Sequence, residues 1–291
     1  MSPGMRVDFE IASVRKILKK RDLWAPHSES RRRQDLIPRD AALPEKMGLK
    51  PGTKVLFFAG AAGDWANALA ERGVEVHYSD ASKAMVEYAK RRFPGTKIRS
   101  FRSGDAIRWP EKIRYDRVVS FEPIPLEASS LPIALLRAIA HSGGATLAYY
   151  REGGSVELAM KALSKIYGAG FRHEAKSVAG AWLSDDVRMA SNYVDFYHLD
   201  APGAEGRRLA EIDLKVLAAL GDRKDVSLAA LAKKPEVAPY GLGEKELLGS
   251  LRRLARVSEH VDSPLRNTIA VTAEKFHKDF VPTRYRGLAN E

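Results

Sequence analysis

The sequence predicts an α/β protein built on a doubly wound, mostly parallel sheet, followed by a smaller C-terminal module. Three observations carry this reading. Over residues 54–150, short apolar runs alternate with amphipathic helical stretches across short loops, which is the pattern of βαβ units. The first apolar run opens into a loop of small residues, Ala59-Gly60-Ala61-Ala62-Gly63, just ahead of a helix. Beyond a second small-residue stretch at 201–206, the apolar periodicity becomes helical.

Each element has its own warrant. Phe9, Ile11, Val14, Ile17 and Leu18 recur at helical spacing, so a helix is expected over 8–21. Residues 35–47 read as a short helix, and Pro51-Gly52 as a turn. The first strand is expected over 54–58. A helix over 64–72 then turns Trp65, Leu69 and Ala70 inward and stops at Gly73. A strand over 74–78, a helix over 81–93 and strands over 97–102 and 115–120 follow, then a helix over 131–141 and a strand over 145–150. After a helix over 155–167, the runs at 171–178 and 193–199 complete a seven-stranded sheet. The last of them alternates as an antiparallel edge strand does. Beyond the linker, helical patterns at 207–220, 227–233 and 244–257, with Ser227 as an N-cap, precede two short strands over 259–272 turning at Asp262-Ser263-Pro264. Three helices and a hairpin are the plan of a winged helix. The expected divisions are an N-terminal helix and basic arm (1–40), the α/β domain (41–200), a linker (201–206), and the winged helix-like domain with its tail (207–291).

Composition bounds the function. The chain has 291 residues, 48 Lys and Arg against 37 Asp and Glu, a net charge of +11 and no cysteine. Disulfides, thiolate zinc sites, iron–sulfur clusters and a cysteine nucleophile are excluded. No apolar run approaches the roughly 18 residues of a membrane span, so a soluble, cytoplasmic protein without a membrane partner is expected. The positive charge points to a polyanionic partner, a nucleic acid or ribonucleoprotein. It is spread as +5 over 1–50, +4 over 51–150, −2 over 151–205 and +4 over 206–291. Its densest cluster, Arg31, Arg32, Arg33 and Arg39, lies in the N-terminal arm and can meet phosphates. Arg252, Arg253 and Arg256 on the third C-terminal helix, and Arg266 in the expected wing, stand where a winged helix contacts a nucleic-acid backbone. Such modules also dock proteins, so a protein partner is a second expectation.

A strand, a small-residue loop and a helix make a nucleotide site, because the backbone comes close to the ligand and the helix offers unpaired N–H groups. Asp80, at the end of the next strand, stands where a carboxylate accepts hydrogen bonds from ribose hydroxyls. No metal-binding His pair, serine elbow or phosphate-loop Gly-Lys-Ser/Thr is present.

With these residues in place, the span 40–200 resembles the class I S-adenosylmethionine-dependent methyltransferases, Rossmann-like enzymes whose last strand is antiparallel. Residues 55–63, Val-Leu-Phe-Phe-Ala-Gly-Ala-Ala-Gly, resemble the family's first motif. The resemblance implies S-adenosyl-L-methionine as cofactor, held by Ala59, Gly60, Ala61, Gly63, Asp64, Asp80 and Ala81, with Asp105 and Ala106 of Gly104-Asp105-Ala106 at the adenine. Ser120-Phe121-Glu122-Pro123-Ile124-Pro125 is similar to the loop with which amino-methylating members hold their target, which implies catalytic roles for Glu122 and Pro123. The chain departs from the family at Phe57, where an acid usually orients the methionine amino group, and at Ala59 and Ala61, where glycines are usual. Asp64 is close enough to substitute for the missing acid. The expected activity is N-methylation of RNA or of a protein in an RNA-bound assembly. The alternative is a non-catalytic, degenerate relative that binds nucleic acid or protein as a regulator or assembly factor. Aminopropyl transfer ranks below both, since the paired acids for a polyamine are not apparent.

Overall fold

The computed structural model describes residues 36–60, 62–80, 83–103, 114–121, 131–149, 154–182, 189–220 and 228–258. They form a three-layer arrangement around one eight-stranded sheet. The strands are β1 (Leu36–Pro38), β2 (Lys54–Phe57), β3 (Glu75–Asp80), β4 (Ser100–Ser103), β5 (Arg117–Phe121), β6 (Gly144–Tyr149), β7 (Gly170–Trp182) and β8 (Met189–Asp200). The helices are α1 (Leu43–Lys46), α2 (Asp64–Glu71), α3 (Lys83–Arg92), α4 (Leu131–His141), α5 (Gly154–Tyr167), α6 (Ala204–Leu220), α7 (Leu228–Ala232) and α8 (Glu244–Ser258).

The strand order is β1-β7-β8-β6-β5-β2-β3-β4. Strands β2 to β6 are mutually parallel, β8 is antiparallel to β6, and β7 is antiparallel to β8. The chain moves outward from β2 through β3 to β4, then returns to place β5 on the other side of β2. The β2–β5 junction is therefore the topological switch point, outside whose carboxyl ends such sheets bind ligands. Alternation along each strand feeds two cores. Val55 and Phe57 face the layer of α1, α2 and α3, while Leu56 faces the layer of α4, α5 and α6.

The structure departs from the sequence reading in several places. Residues 35–47 do not form one helix. Residues 36–38 pair antiparallel with Trp182, Ala181 and Gly180, making an eighth strand within the expected N-terminal arm. The outer edge of β7 offers unpaired backbone groups, and this segment satisfies them. Asp40 then fixes the turn, accepting from the Ala42 and Ala179 N–H groups and pairing with Lys46, so the helix itself runs only over Leu43–Lys46. β7 and β8 are longer than expected. Tyr149, the last residue of β6, lies opposite Asp195, so residues 189–194 and their β7 partners overhang the carboxyl ends of the parallel strands as an arm edged by β1.

The expected linker is also shorter, because α6 begins at Ala204. The apolar faces of α6, α7 and α8 enter the same core as α4 and α5, through Ala210, Leu214, Leu217, Leu231, Leu251 and Leu254. Asp213 of α6 clamps the layer. It accepts from the Tyr167 hydroxyl at 2.7 Å and from Arg253 Nε and Nη2 at 2.8 and 2.7 Å. Burial pushes the Asp213 carboxyl up, and its bonds to Arg253 and Tyr167 pull the other way. The strands expected over 259–272, which would complete the winged helix, lie outside the described residues. Among the described residues, no helix is long and apolar enough to cross a membrane.

Candidate functional site

The site is built where β2 ends. Phe58 stays attached to β5: its N–H donates to Val119 O at 3.0 Å, and its carbonyl accepts from the buried Ser120 hydroxyl at 2.8 Å. Two residues later the chain has crossed to the other neighbour, where Gly60 N–H donates to Ser79 O at 3.2 Å. The loop thus passes over the end of β2, from β5 to β3. Ala59, at the crossing, has φ +48°, a conformation that costs an alanine more than a glycine. The turn closes with Gly63 N–H on Gly60 O at 2.9 Å, and Gly63, at φ +85°, is the N-cap of α2.

Gly60 is required by close approach. A Cβ there would lie 2.1 Å from the Tyr78 ring, which is fully buried beneath the loop. Burial pushes the Tyr78 phenol well above its ordinary range, and the nearby charges of Asp80 and Asp64 act in the same direction. Gly60, Asp64 and Asp80 are thus brought together around one neutral phenol, at the carboxyl ends of two adjacent strands. Asp80 is partly exposed as the last residue of β3.

Asp64 has a different setting from the one expected. It is buried at the first position of α2 and paired with Arg92 of α3, itself only 10% exposed. Its charge complements the helix N-terminus and is neutralised by the guanidinium. Phe57 is 1% exposed and packs into the core. At the other lip of the crevice, Phe121 ends β5 and stacks flat on Trp65 of α2, with ring centroids 4.0 Å apart and planes 9° from parallel. Trp65 is 4% exposed, so it is core, as its inward spacing implied.

These residues fit the nucleoside end of S-adenosylmethionine. The carboxylate of Asp80 suits vicinal hydroxyls, and glycines at 60 and 63 let the loop pack down on Tyr78 and on Ala89 of α3, so that its backbone runs across the end of β2. At the amino-acid end, Phe57 is apolar and Asp64 is engaged by Arg92. Ala61, Ala81, Asp105, Ala106, Glu122 and Pro123 lie outside the described residues, as do Arg31, Arg32, Arg33 and Arg266. Arg252 and Arg256 are exposed on α8, whereas Arg253 is turned into the layer by Asp213. No group of three or more His, Asp and Glu able to hold a metal occurs among the described residues.

Sequence reasoning missed Phe121 as a lip residue, Tyr78 as the floor under the loop, and Arg92 as the partner of Asp64. The aromatic Phe121 immediately before Glu122 was a visible signal. The other two depend on contacts between elements far apart in the chain.

No family profile matches the chain, and no curated protein matches it. Among solved structures it is similar to a provisionally described methyltransferase from Haloferax volcanii in complex with the Trm112 methyltransferase activator. The identity is 18% and the TM-score 0.45, over 62% of this chain and 95% of that one. It is also similar to a protein from Pyrococcus horikoshii provisionally described as an RNA methyltransferase (18%, 0.41, over 55% and 79%). A third is the magnesium protoporphyrin IX methyltransferase of Synechocystis with bound S-adenosylmethionine (17%, 0.39, over 54% and 75%).

Proposed function

We propose that the protein is an S-adenosylmethionine-dependent methyltransferase that modifies an amino nitrogen of RNA or of a protein in an RNA-bound assembly. The observation that carries this is the convergence of the glycine loop and Asp80 at the carboxyl ends of β2 and β3, beside the switch point. When bound, the cofactor would supply a methyl group on a sulfonium: an amine lone pair attacking the methyl carbon in line forms the N–C bond as the C–S bond breaks, and the neutral thioether leaves. The protein's own part is placement. Asp80 accepts the ribose hydroxyls, and the backbone of 59–63 fixes the nucleoside over Tyr78. Asp105 and Ala106 meet the adenine, and Ala61 and Ala81 complete the walls. Glu122, next after Phe121, accepts a hydrogen bond from the target amine and directs its lone pair into the crevice, with Pro123 stiffening the turn. Arg31, Arg32 and Arg33, a few residues before β1 in the sequence, supply phosphate contacts. Arg252, Arg256 and Arg266 supply further phosphate contacts, and the winged helix-like module is a further place for RNA or a protein partner.

The experiment is transfer of a labelled methyl group from S-adenosylmethionine into cell extract, followed by nuclease or protease digestion. Label released by nuclease is the expected result. Label resistant to nuclease and released by protease moves the substrate to the protein of the assembly. Absence of transfer, with cofactor still bound, favours a second reading, a regulator or assembly factor that has kept the pocket. The Asp64–Arg92 pair and the buried Phe57 are the observations on its side.

A further inference from the structure

The sheet ends at β4, and cations that the sequence reading did not single out surround this edge. Residues 83–103, which make up α3, β4 and the turn between them, hold seven Lys and Arg against one Glu, a net +6 within a chain of net +11. On α3, Met85, Val86 and Ala89 face inward, so Lys83, Lys90 and Arg91 share the outer face with Glu87. On β4, the Phe101 ring turns toward Tyr78 on the α3 side, with centroids 5.3 Å apart. Alternation sends Ser100 and Arg102 to the other face, where Ser100 Oγ lies 2.8 Å from His77 Nδ1. Lys97 and Arg99, just before the strand, are exposed too. Positive charge thus flanks the edge on both sides, and most of it is uncompensated. Lys90 pairs with Glu87 and Lys97 with Glu71, but both pairs are exposed, where ion pairs contribute little. Glu75 has Arg99 nearby but is bonded to His77. Among the described residues, Lys83, Arg91, Arg99 and Arg102 form no ion pair, whereas Arg92, Arg117 and Arg253 are each turned onto a carboxylate. Both rows reach the crevice: Arg102 lies opposite Ser79, next to Asp80, and Lys83 opens α3 just beyond it.

We propose that the α3–β4 edge binds a nucleic-acid backbone and leads it to the crevice at the carboxyl end of β3. This rests on the reading of RNA as the substrate and gives that RNA a docking surface on the α/β sheet itself. A nucleic-acid strand carries one negative charge per nucleotide, so it is met by cations repeated along a line. The row on α3 runs about 12 Å from Lys83 to Arg91, and the row along β4 about 10 Å from Arg99 to Arg102. Those lengths match successive phosphates better than the few carboxylates of a docking peptide. Exposed arginines without a carboxylate partner suit phosphate, because the guanidinium fork meets two oxygens at once. Charge on an edge strand also deters pairing with other sheets, but that role needs cations on β4 alone and leaves the outer face of α3 unexplained.

The test is salt-dependent binding of a labelled oligouridylate of about 20 nucleotides to the full chain. The edge variant combines Arg91→Gln, Arg99→Gln and Arg102→Gln. A control combining Lys161→Gln, Lys165→Gln and Arg208→Gln removes the same charge from exposed positions on α5 and α6. The edge variant is expected to bind roughly ten- to hundredfold more weakly at about 0.1 M salt and to lower the slope against salt by about 2, as for three lost contacts to a single strand, with the control near the wild type. If the edge variant does not fold, Lys83→Gln with Lys97→Gln is compared with Lys161→Gln with Lys165→Gln. Equal loss in edge variant and control, or loss in neither, overturns the proposal. So does displacement of the RNA by polyglutamate of matched charge as readily as by unlabelled RNA, which moves the surface to an acidic protein. Calorimetry with S-adenosylmethionine on the same samples separates this from the cofactor reading. A wild type that binds the cofactor but no oligouridylate overturns the edge proposal alone. A wild type that binds oligouridylate through the edge but no cofactor overturns the methyltransferase reading alone.

Discussion

Gly60 shows how little room a single residue leaves. Its α-carbon lies so close to the buried Tyr78 ring that a methyl group has no place to go, and the ring has no free volume to retreat into. Gly60→Ala is expected to cost about 1–3 kcal/mol of stability, measured by urea denaturation, and to lower nucleoside affinity by moving the loop off β3. A second residue-scale consequence concerns His198. It is buried, its Nδ1 lies 3.1 Å from Thr146 Oγ1, and its Nε2 has no hydrogen-bond partner among the described residues. Burial, together with the charges of Arg117 and Arg172, lowers its pKa from 6.5 to about 4. Between those values the unfolded chain binds a proton that the folded chain refuses. The contribution of His198 is thus fully present above pH 6.5 and is lost as the pH falls toward 4, amounting to about 3 kcal/mol. Denaturation of the wild type and His198→Gln across pH 4–7 checks this: the wild type should show the steeper loss of stability on acidification.

Among the elements, the C-terminal helices change meaning most. The pattern of helices over 207–257 is legible from the sequence because apolar spacing is local. That α6 and α8 share a core with α4 and α5 is not legible, because the surface that receives them is assembled from distant segments. The Asp213–Arg253–Tyr167 clamp belongs to this scale. Arg253 reads as a phosphate contact from its place on an amphipathic helix, yet it meets a buried carboxylate. Arg253→Met should destabilise the protein by about 3–5 kcal/mol, since it leaves Asp213 buried with its charge uncompensated. Arg253→Met combined with Asp213→Leu should recover much of that loss, and thermal denaturation of the single and double variants reads the difference. β1 teaches the same lesson at the opposite end of the chain: three residues ending in Pro38 carry no strand signal, and only the free edge of β7 makes them one.

For the whole molecule, the mostly parallel strands and the small-residue loop followed by Asp80 could be anticipated, because alternation and small-residue loops are written locally. The contacts that tune the site could not, because Asp64 with Arg92 and Trp65 with Phe121 each join two elements that only the closed sheet brings together. This matters for how the departures from the resembled motif are understood. Asp64 does not stand free as a substitute for the acid missing at Phe57. It holds α2 to α3, and the loop tolerates Ala59 at a positive φ. Under the proposed function, a nucleoside site survives with Asp80 as its principal acid. Calorimetric titration of the full chain with S-adenosylmethionine, beside Asp80→Asn, tests it most directly. One saturable site is expected in the wild type, weakened at least tenfold by the substitution, as for loss of a hydrogen bond to a charged group. No heat of binding at millimolar cofactor, or an affinity unchanged in Asp80→Asn, would contradict it.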